Sequence, residues 1–96
     1  MVKVRRSGKF VTMLGNLLSK DERYRLLVDK AVDLFVRNPK DTRLGTHALS
    51  KRMRGQWAFW VTDDVRVVFE WLSKTTVRFL MIGGHPEVYR RKRTVR

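Results

Sequence analysis

Two histidines and no cysteine leave this 96-residue chain few side chains that can move a proton near neutral pH. His47 lies ahead of a basic turn, and His85 follows Gly83-Gly84. Both fall near expected strand ends, where site residues collect on loops. A lone histidine in a turn is also an ordinary capping or surface residue, so type alone assigns neither a task. Two histidines without cysteine, without His-x-x-x-His and without a carboxylate cluster do not make a zinc set. No glycine-rich phosphate loop is present either. Phosphodiester chemistry would then rest on general acid–base transfer and on cationic stabilisation of the transition state. RNA permits this, because its own 2′-hydroxyl can attack the adjacent phosphate; DNA lacks that hydroxyl.

The cation best placed to hold such a phosphate is Arg66. Gln56 to Thr62 is aromatic and β-branched, hence a strand, and Val65 to Leu72 is the next strand. Asp63-Asp64 joins them as a two-residue turn, although it lacks the glycine that a tight hairpin prefers. That turn sets Val61 opposite Arg66. Trp57, Phe59 and Val61 then share a face with Arg66, Val68 and Glu70, since side chains alternate. The opposite face carries Ala58, Trp60, Val65, Val67, Phe69 and Trp71, and is the expected core. The mixed face could stack bases and hold a phosphate. On the residues alone, an exposed Arg66–Glu70 ion pair at i, i+4 is the plainer reading.

The elements that must position these groups follow from periodicity. Val2 to Arg6 alternates as a short first strand. Ser7 can cap a helix whose apolar stripe is Phe10, Met13, Leu14, Leu17 and Leu18. Ser19 and Glu22 have the spacing of a capping box for a second helix, with Tyr24, Leu27, Val28, Ala31, Leu34 and Phe35 on one face. Asn38-Pro39 stops it. Leu44 to Leu49 is an expected strand, Lys51 to Gly55 a basic turn, and Thr76 to Ile82 the last strand, broken by Gly83-Gly84. Pro86 to Arg90 suits a short helical turn. The order β-α-α-β-β-β-β predicts an α+β fold, two N-terminal helices packed on one face of a curved, mainly antiparallel sheet. The other face would be open.

Length fits a single domain over residues 1–96, with a basic tail at 90–96. Twenty-two Lys and Arg against nine Asp and Glu give a net charge of +13. A small domain usually carries about 2–8 net charges, so this field is strong enough to attract polyanions. Nucleic acid, an acidic protein or an anionic membrane would all answer it. The basic runs are Lys51, Arg52 and Arg54 around Met53, and Arg90, Arg91, Lys92, Arg93 and Arg96 at the end. They could track a nucleic-acid backbone or suit an acidic partner. Absence of cysteine allows a cytoplasmic setting, and no apolar run is long enough for a membrane span.

The segments Thr46-His47-Ala48-Leu49, Arg54 to Glu70 and Ile82-Gly83-Gly84-His85-Pro86-Glu87-Val88-Tyr89 resemble the RelE/ParE superfamily of type II toxins. The likeness is strongest to the YafQ/YoeB-like branch, with its His-x-Leu, Gly-x-Trp, Asp-x-Arg-Val-Val-Phe and Gly-x-His-x-x-x-Tyr patterns. The resemblance implies a ribosome-dependent mRNA endonuclease that works by 2′-hydroxyl attack without metal or other cofactor. It also implies a cognate antitoxin as partner, beside the ribosome and mRNA. It makes His47 and His85 acid–base candidates and Arg66 the phosphate holder. Tyr89 becomes an aromatic that stacks on or orients substrate, and Asp64 an acidic turn residue of the site. Lys51, Arg52 and Arg54 match a basic RNA-binding turn; Trp57, Arg90 and Arg91 complete the expected RNA-binding set. Two departures stand out. The late-strand arginine of several relatives is replaced here by Met81, Ile82 and the glycines, and Lys51 stands where glycine is common. Two other outcomes are compatible with the resemblance: a ParE-type DNA gyrase inhibitor, or a catalytically decayed antitoxin-binding module.

Overall fold

A computed structural model describes residues 1–88 of the chain. The elements run β1 (Lys3–Arg6), α1 (Gly8–Lys20), α2 (Tyr24–Arg37), a 3₁₀ turn (Thr42–Leu44), β2 (His47–Ala48), a second 3₁₀ turn (Lys51–Met53), β3 (Trp57–Trp60), β4 (Val65–Trp71), β5 (Thr76–Gly84) and α3 (His85–Val88). The strands form one sheet in the order β1-β5-β4-β3-β2. β1 pairs parallel to β5, and every other pair is antiparallel. The fold is the expected α+β arrangement, with α1 and α2 on one sheet face.

The core is built around phenylalanine. Phe35 of α2 stacks on Phe59 of β3 at 4.5 Å and meets Phe69 of β4 edge-on at 4.8 Å. Phe10 of α1 leans on Phe79 of β5 at 5.3 Å. All five are buried with Val28, Ala31, Leu44, Val65, Val67, Val77 and Ile82. Ser7 caps α1 as its type predicts, accepting the Phe10 N–H at 3.0 Å. Its hydroxyl also donates to the carbonyl of Leu80 at 3.1 Å. Leu80 is the extra residue of a β-bulge, since Val68 pairs with Met81 and Phe69 with Phe79. A bulge bends its strand, and Ser7 ties that bend to the start of α1.

Several expectations are corrected. Ser19 does not cap a second helix: its hydroxyl donates to the Gly15 carbonyl inside α1. The turn before α2 is closed by Asp21, whose carboxylate accepts the Arg23 N–H at 3.0 Å. Of the expected Leu44 to Leu49 strand, His47–Ala48 is regular strand and the Leu49 N–H still donates to the Gln56 carbonyl at 2.9 Å, while Thr42–Leu44 winds into a 3₁₀ turn that buries Leu44 in the core. The glycines do not break the last strand; Gly83 pairs with Arg66 and Gly84 with Val65. The second sheet face is not fully open, since Val88 of α3 packs there on Ala58 and Val68.

The largest correction is the β3–β4 register. Trp60, not Val61, is opposite Arg66, and Phe59 is opposite Val67. The Val61 and Thr62 N–H groups both donate to the Val65 carbonyl. Thr62 Oγ1 accepts the Asp64 and Val65 N–H groups. A two-residue turn of the hairpin type needs positive φ, which Asp63-Asp64 supplies poorly; the threonine turn avoids it. One residue of register flips a whole strand. Trp57 and Phe59 therefore join Val65, Val67 and Phe69 on the helix-covered face, while Ala58 and Trp60 join Arg66 and Val68.

Candidate active site

The flip creates a row of four residues across one end of the second sheet face. Trp60 pairs with Arg66, and Arg66 with Gly83. Extending the β2–β3 register from His47↔Ala58 sets Gly45 opposite Trp60. The row therefore reads Gly45, Trp60, Arg66, Gly83, with a glycine at each end. The glycines leave the large pair room. The Trp60 indole lies over Gly45, where an added Cβ would sit 3.5 Å from the ring. The Arg66 guanidinium carbon lies 5.9 Å from the indole centre. Trp60 nevertheless stays 42% exposed, so part of its ring faces solvent beside the cation.

His47 belongs to the same face, opposite Ala58. Its Nδ1 is 2.8 Å from the Gly45 carbonyl. A carbonyl only accepts, so Nδ1 donates and Nε2 carries the lone pair. The bond fixes the ring's tautomer and leaves Nε2 as a proton acceptor. Gly45 is itself held by the preceding turn. Asp41 accepts the Arg43 N–H at 2.9 Å and the Arg43 guanidinium at 2.8 Å. Those bonds hold the Asp41 carboxyl down at about 2. Gly45 closes that turn at φ 57, a left-handed conformation that costs a side-chain-bearing residue about 1–2 kcal/mol. His47 and Arg66 stand two strands apart and one pair out of step, roughly 12 Å between Cα atoms at ordinary sheet spacings. A guanidinium and an imidazole can both reach one phosphodiester across that gap.

The other expected site residues divide. His85 opens α3, two residues past Gly83, the strand neighbour of Arg66. Asp64 is exposed in the β3–β4 loop, two residues before Arg66. Both thus border the row. Lys51, Arg52 and Arg54 are exposed, but they lie off the other end of β3, roughly 15–20 Å along the strand from Trp60. Lys51 adopts φ 59, so the turn keeps the left-handed geometry for which glycine is the easier residue. Trp57 is removed from this face. It is half-buried against the core and lines a shallow cavity of about 450 Å³ with Lys40, Asp41, Thr42, Gly45 and Thr46. Tyr89, Arg90, Arg91 and the rest of the tail lie outside the described residues. Glu70 does not pair with Arg66: its carboxylate accepts from Arg78 at 3.2 Å. Trp60 and Gly45 are the residues that sequence reasoning missed, and the strand alternation would have found Trp60 had the loop been counted as Val61 to Asp64.

No family model matches the chain, and no curated protein matches it closely enough to be informative. Solved structures do. YafQ from E. coli strain BL21(DE3) superposes with a TM-score of 0.72 at 20% identity, covering 88% of this chain and 94% of that one. The fold is that of the RelE/ParE toxins. A YoeB/ParE toxin from Agrobacterium tumefaciens matches equally, with a TM-score of 0.72 at 16% identity over 88% of this chain and 99% of the other. YafQ in the E. coli DinJ-YafQ complex gives a TM-score of 0.70 at 20% identity, covering 88% and 94%. Each of these likenesses covers 88% of this chain. Among the described residues, no helix is long and apolar enough to cross a membrane, and no group of three or more His, Cys, Asp or Glu is placed to hold a metal.

Proposed function

We propose that this chain is the toxin of a type II toxin–antitoxin pair and an endoribonuclease that cuts messenger RNA on the ribosome. The observation that carries the reading is the convergence of His47 and Arg66 on one sheet face, beside an exposed indole. The fold it shares with YafQ, a toxin solved in complex with DinJ, supports both the toxin role and a protein antitoxin as partner. A cytoplasmic site of action follows from a ribosomal target.

In this reading Arg66 binds the non-bridging oxygens of one phosphate and stabilises the charge that builds there. His47 Nε2 takes the proton from the 2′-hydroxyl as it attacks phosphorus. The P–O5′ bond breaks, and the leaving oxygen is protonated by an acid, for which His85 is the candidate. The products are a 2′,3′-cyclic phosphate and a free 5′-hydroxyl, with no proton gained or lost overall. Asp64 and Tyr89 are assigned to orienting the substrate, and the basic turn and tail, Lys51, Arg52, Arg54, Arg90 and Arg91, to its backbone. A field of this sign suits both RNA and the ribosome.

Expression of the wild type is expected to arrest growth and translation, and the double variant Arg66→Ala with His85→Ala to relieve both. A double variant as toxic as the wild type would refute the acid–base reading. DNA-damage signalling with translation intact would point instead to a gyrase poison.

A further inference from the structure

At the other end of the same sheet face, the β1–β5 register sets Arg5 beside Arg78 and Lys3 beside Thr76. Arg78 is bonded from its far side by Glu70 at 3.2 Å and remains 44% exposed. Lys3 and Arg5 are exposed, and among the described residues neither forms an ion pair. Three cations therefore meet one carboxylate. Like charges opposite each other on neighbouring strands repel. Elsewhere Arg23, Arg37 and Arg43 each have an aspartate of their own, while Arg6, Arg25, Arg52 and Arg54 are exposed without an ion pair among the described residues; what sets Arg5 and Arg78 apart is that they face each other across paired strands. A charged edge strand does discourage stray pairing, but alternating signs would do so without the repulsion. An anion lying across both guanidiniums removes it, and the guanidinium fork matches phosphate oxygens in pairs.

We propose that Lys3, Arg5 and Arg78 form a second phosphodiester subsite, one that takes the backbone of single-stranded RNA away from the point of cleavage. This deepens the nuclease reading and rests on it for its biological substrate. Arg5 lies roughly 16 Å from Arg66, two strands across and four residues along. That separation is a few nucleotides of extended strand. Val88 and α3 fill the middle of the face, so the strand crosses above them. The basic turn flanks the same end: carrying the β3–β4 register on from Trp57↔Phe69 sets Gln56 beside Glu70, with Arg54 and Arg52 just beyond. An acidic protein segment would meet the same charges, but the patch shares its face with the site, which a substrate strand must cover and an antitoxin need not.

The test uses the full chain with 2′-O-methyl oligouridines, which lack the attacking hydroxyl, of about four and about twelve nucleotides, the range a single-strand groove spans. Binding is followed by fluorescence anisotropy across a potassium chloride series. Each phosphate contact contributes about −0.7 to the slope of log affinity against log salt. Arg5→Gln with Arg78→Gln is expected to flatten the twelve-mer slope by about 1.4 and to leave the four-mer unchanged. Glu70→Gln is expected to do the opposite, tightening the twelve-mer. Co-sedimentation with ribosomes forms the second arm: loss there alone assigns the subsite to ribosomal RNA, and loss with the twelve-mer assigns it to the substrate strand. Polyglutamate serves as a third probe, standing in for an acidic protein segment; unchanged binding to the twelve-mer and to ribosomes overturns the proposal, as does a loss confined to polyglutamate. A twelve-mer effect in a wild type that cuts no RNA would leave the subsite standing and sink the nuclease reading.

Discussion

The guanidinium of Arg66 packs against the indole of Trp60, 5.9 Å from the ring centre, and this contact joins the cation of the site to an indole that is 42% exposed. Indole restrains the guanidinium by cation–π attraction, about 0.5–1 kcal/mol at an exposed site. Its open part can also stack on a base.

Trp60→Leu is therefore expected to weaken substrate binding more than the chemical step. Stacking of a base on an aromatic contributes about 1–3 kcal/mol, so KM should rise roughly tenfold or more, with a smaller fall in kcat. Trp60→Phe should recover most of the loss. Single-turnover kinetics on a cleavable oligonucleotide separate the two effects. By contrast Arg66→Gln should cost about 10²–10³ in kcat, the scale for losing one transition-state donor.

Gly45 is expected to be intolerant for two reasons. At φ 57 an alanine is strained by about 1–2 kcal/mol, and its carbonyl fixes the His47 ring. Gly45→Ala should lower both the urea midpoint and activity. Gly15→Ala is the control. Its added methyl meets nothing within 4 Å in the exposed middle of α1, so it should stabilise by about 0.5–1 kcal/mol and leave activity unchanged.

Phe35→Ala should unfold the protein or nearly so. The ring touches Phe59, Phe69 and Phe79, and removing a buried phenylalanine costs about 3–5 kcal/mol of a total that is typically about 5–15 kcal/mol. Phe35→Leu should retain the fold with a lower thermal midpoint. Calorimetry distinguishes the two.

Asp41 gives a pH signature. Arg43 holds its carboxyl at about 2, below the unfolded value, so the folded state binds this proton less readily than the unfolded chain. Its contribution is full above the ordinary carboxylate range and is lost as pH falls through about 2. In urea titrations at about pH 4 and about pH 2, Asp41→Asn should show a smaller acid loss than the wild type.

Much of this was legible in the residues. The helical stripes, the Ser7 cap and the antiparallel run of strands follow from local pattern, and burial of all five phenylalanines completes it. Pairing register was not legible, because it depended on how Thr62 closes the β3–β4 loop. That single residue exchanged Trp57 for Trp60 on the site face. The place of β1 was also hidden, since a parallel edge partner 73 residues away, as in Lys3↔Thr76, leaves no local trace. The bond from His47 to Gly45 needs a left-handed glycine and a 3₁₀ turn that the Asp41 cap and the buried Leu44 hold together.

The central claim is tested most directly by the chemistry of cut ends. Purified protein added to an in vitro translation reaction should yield mRNA fragments ending in 2′,3′-cyclic phosphate, with free 5′-hydroxyls downstream. Arg66→Gln and His47→Gln should suppress them. Intact message at protein levels that arrest growth, or fragments ending in 3′-hydroxyls, would contradict attack by the 2′-hydroxyl and with it the role assigned to this sheet face.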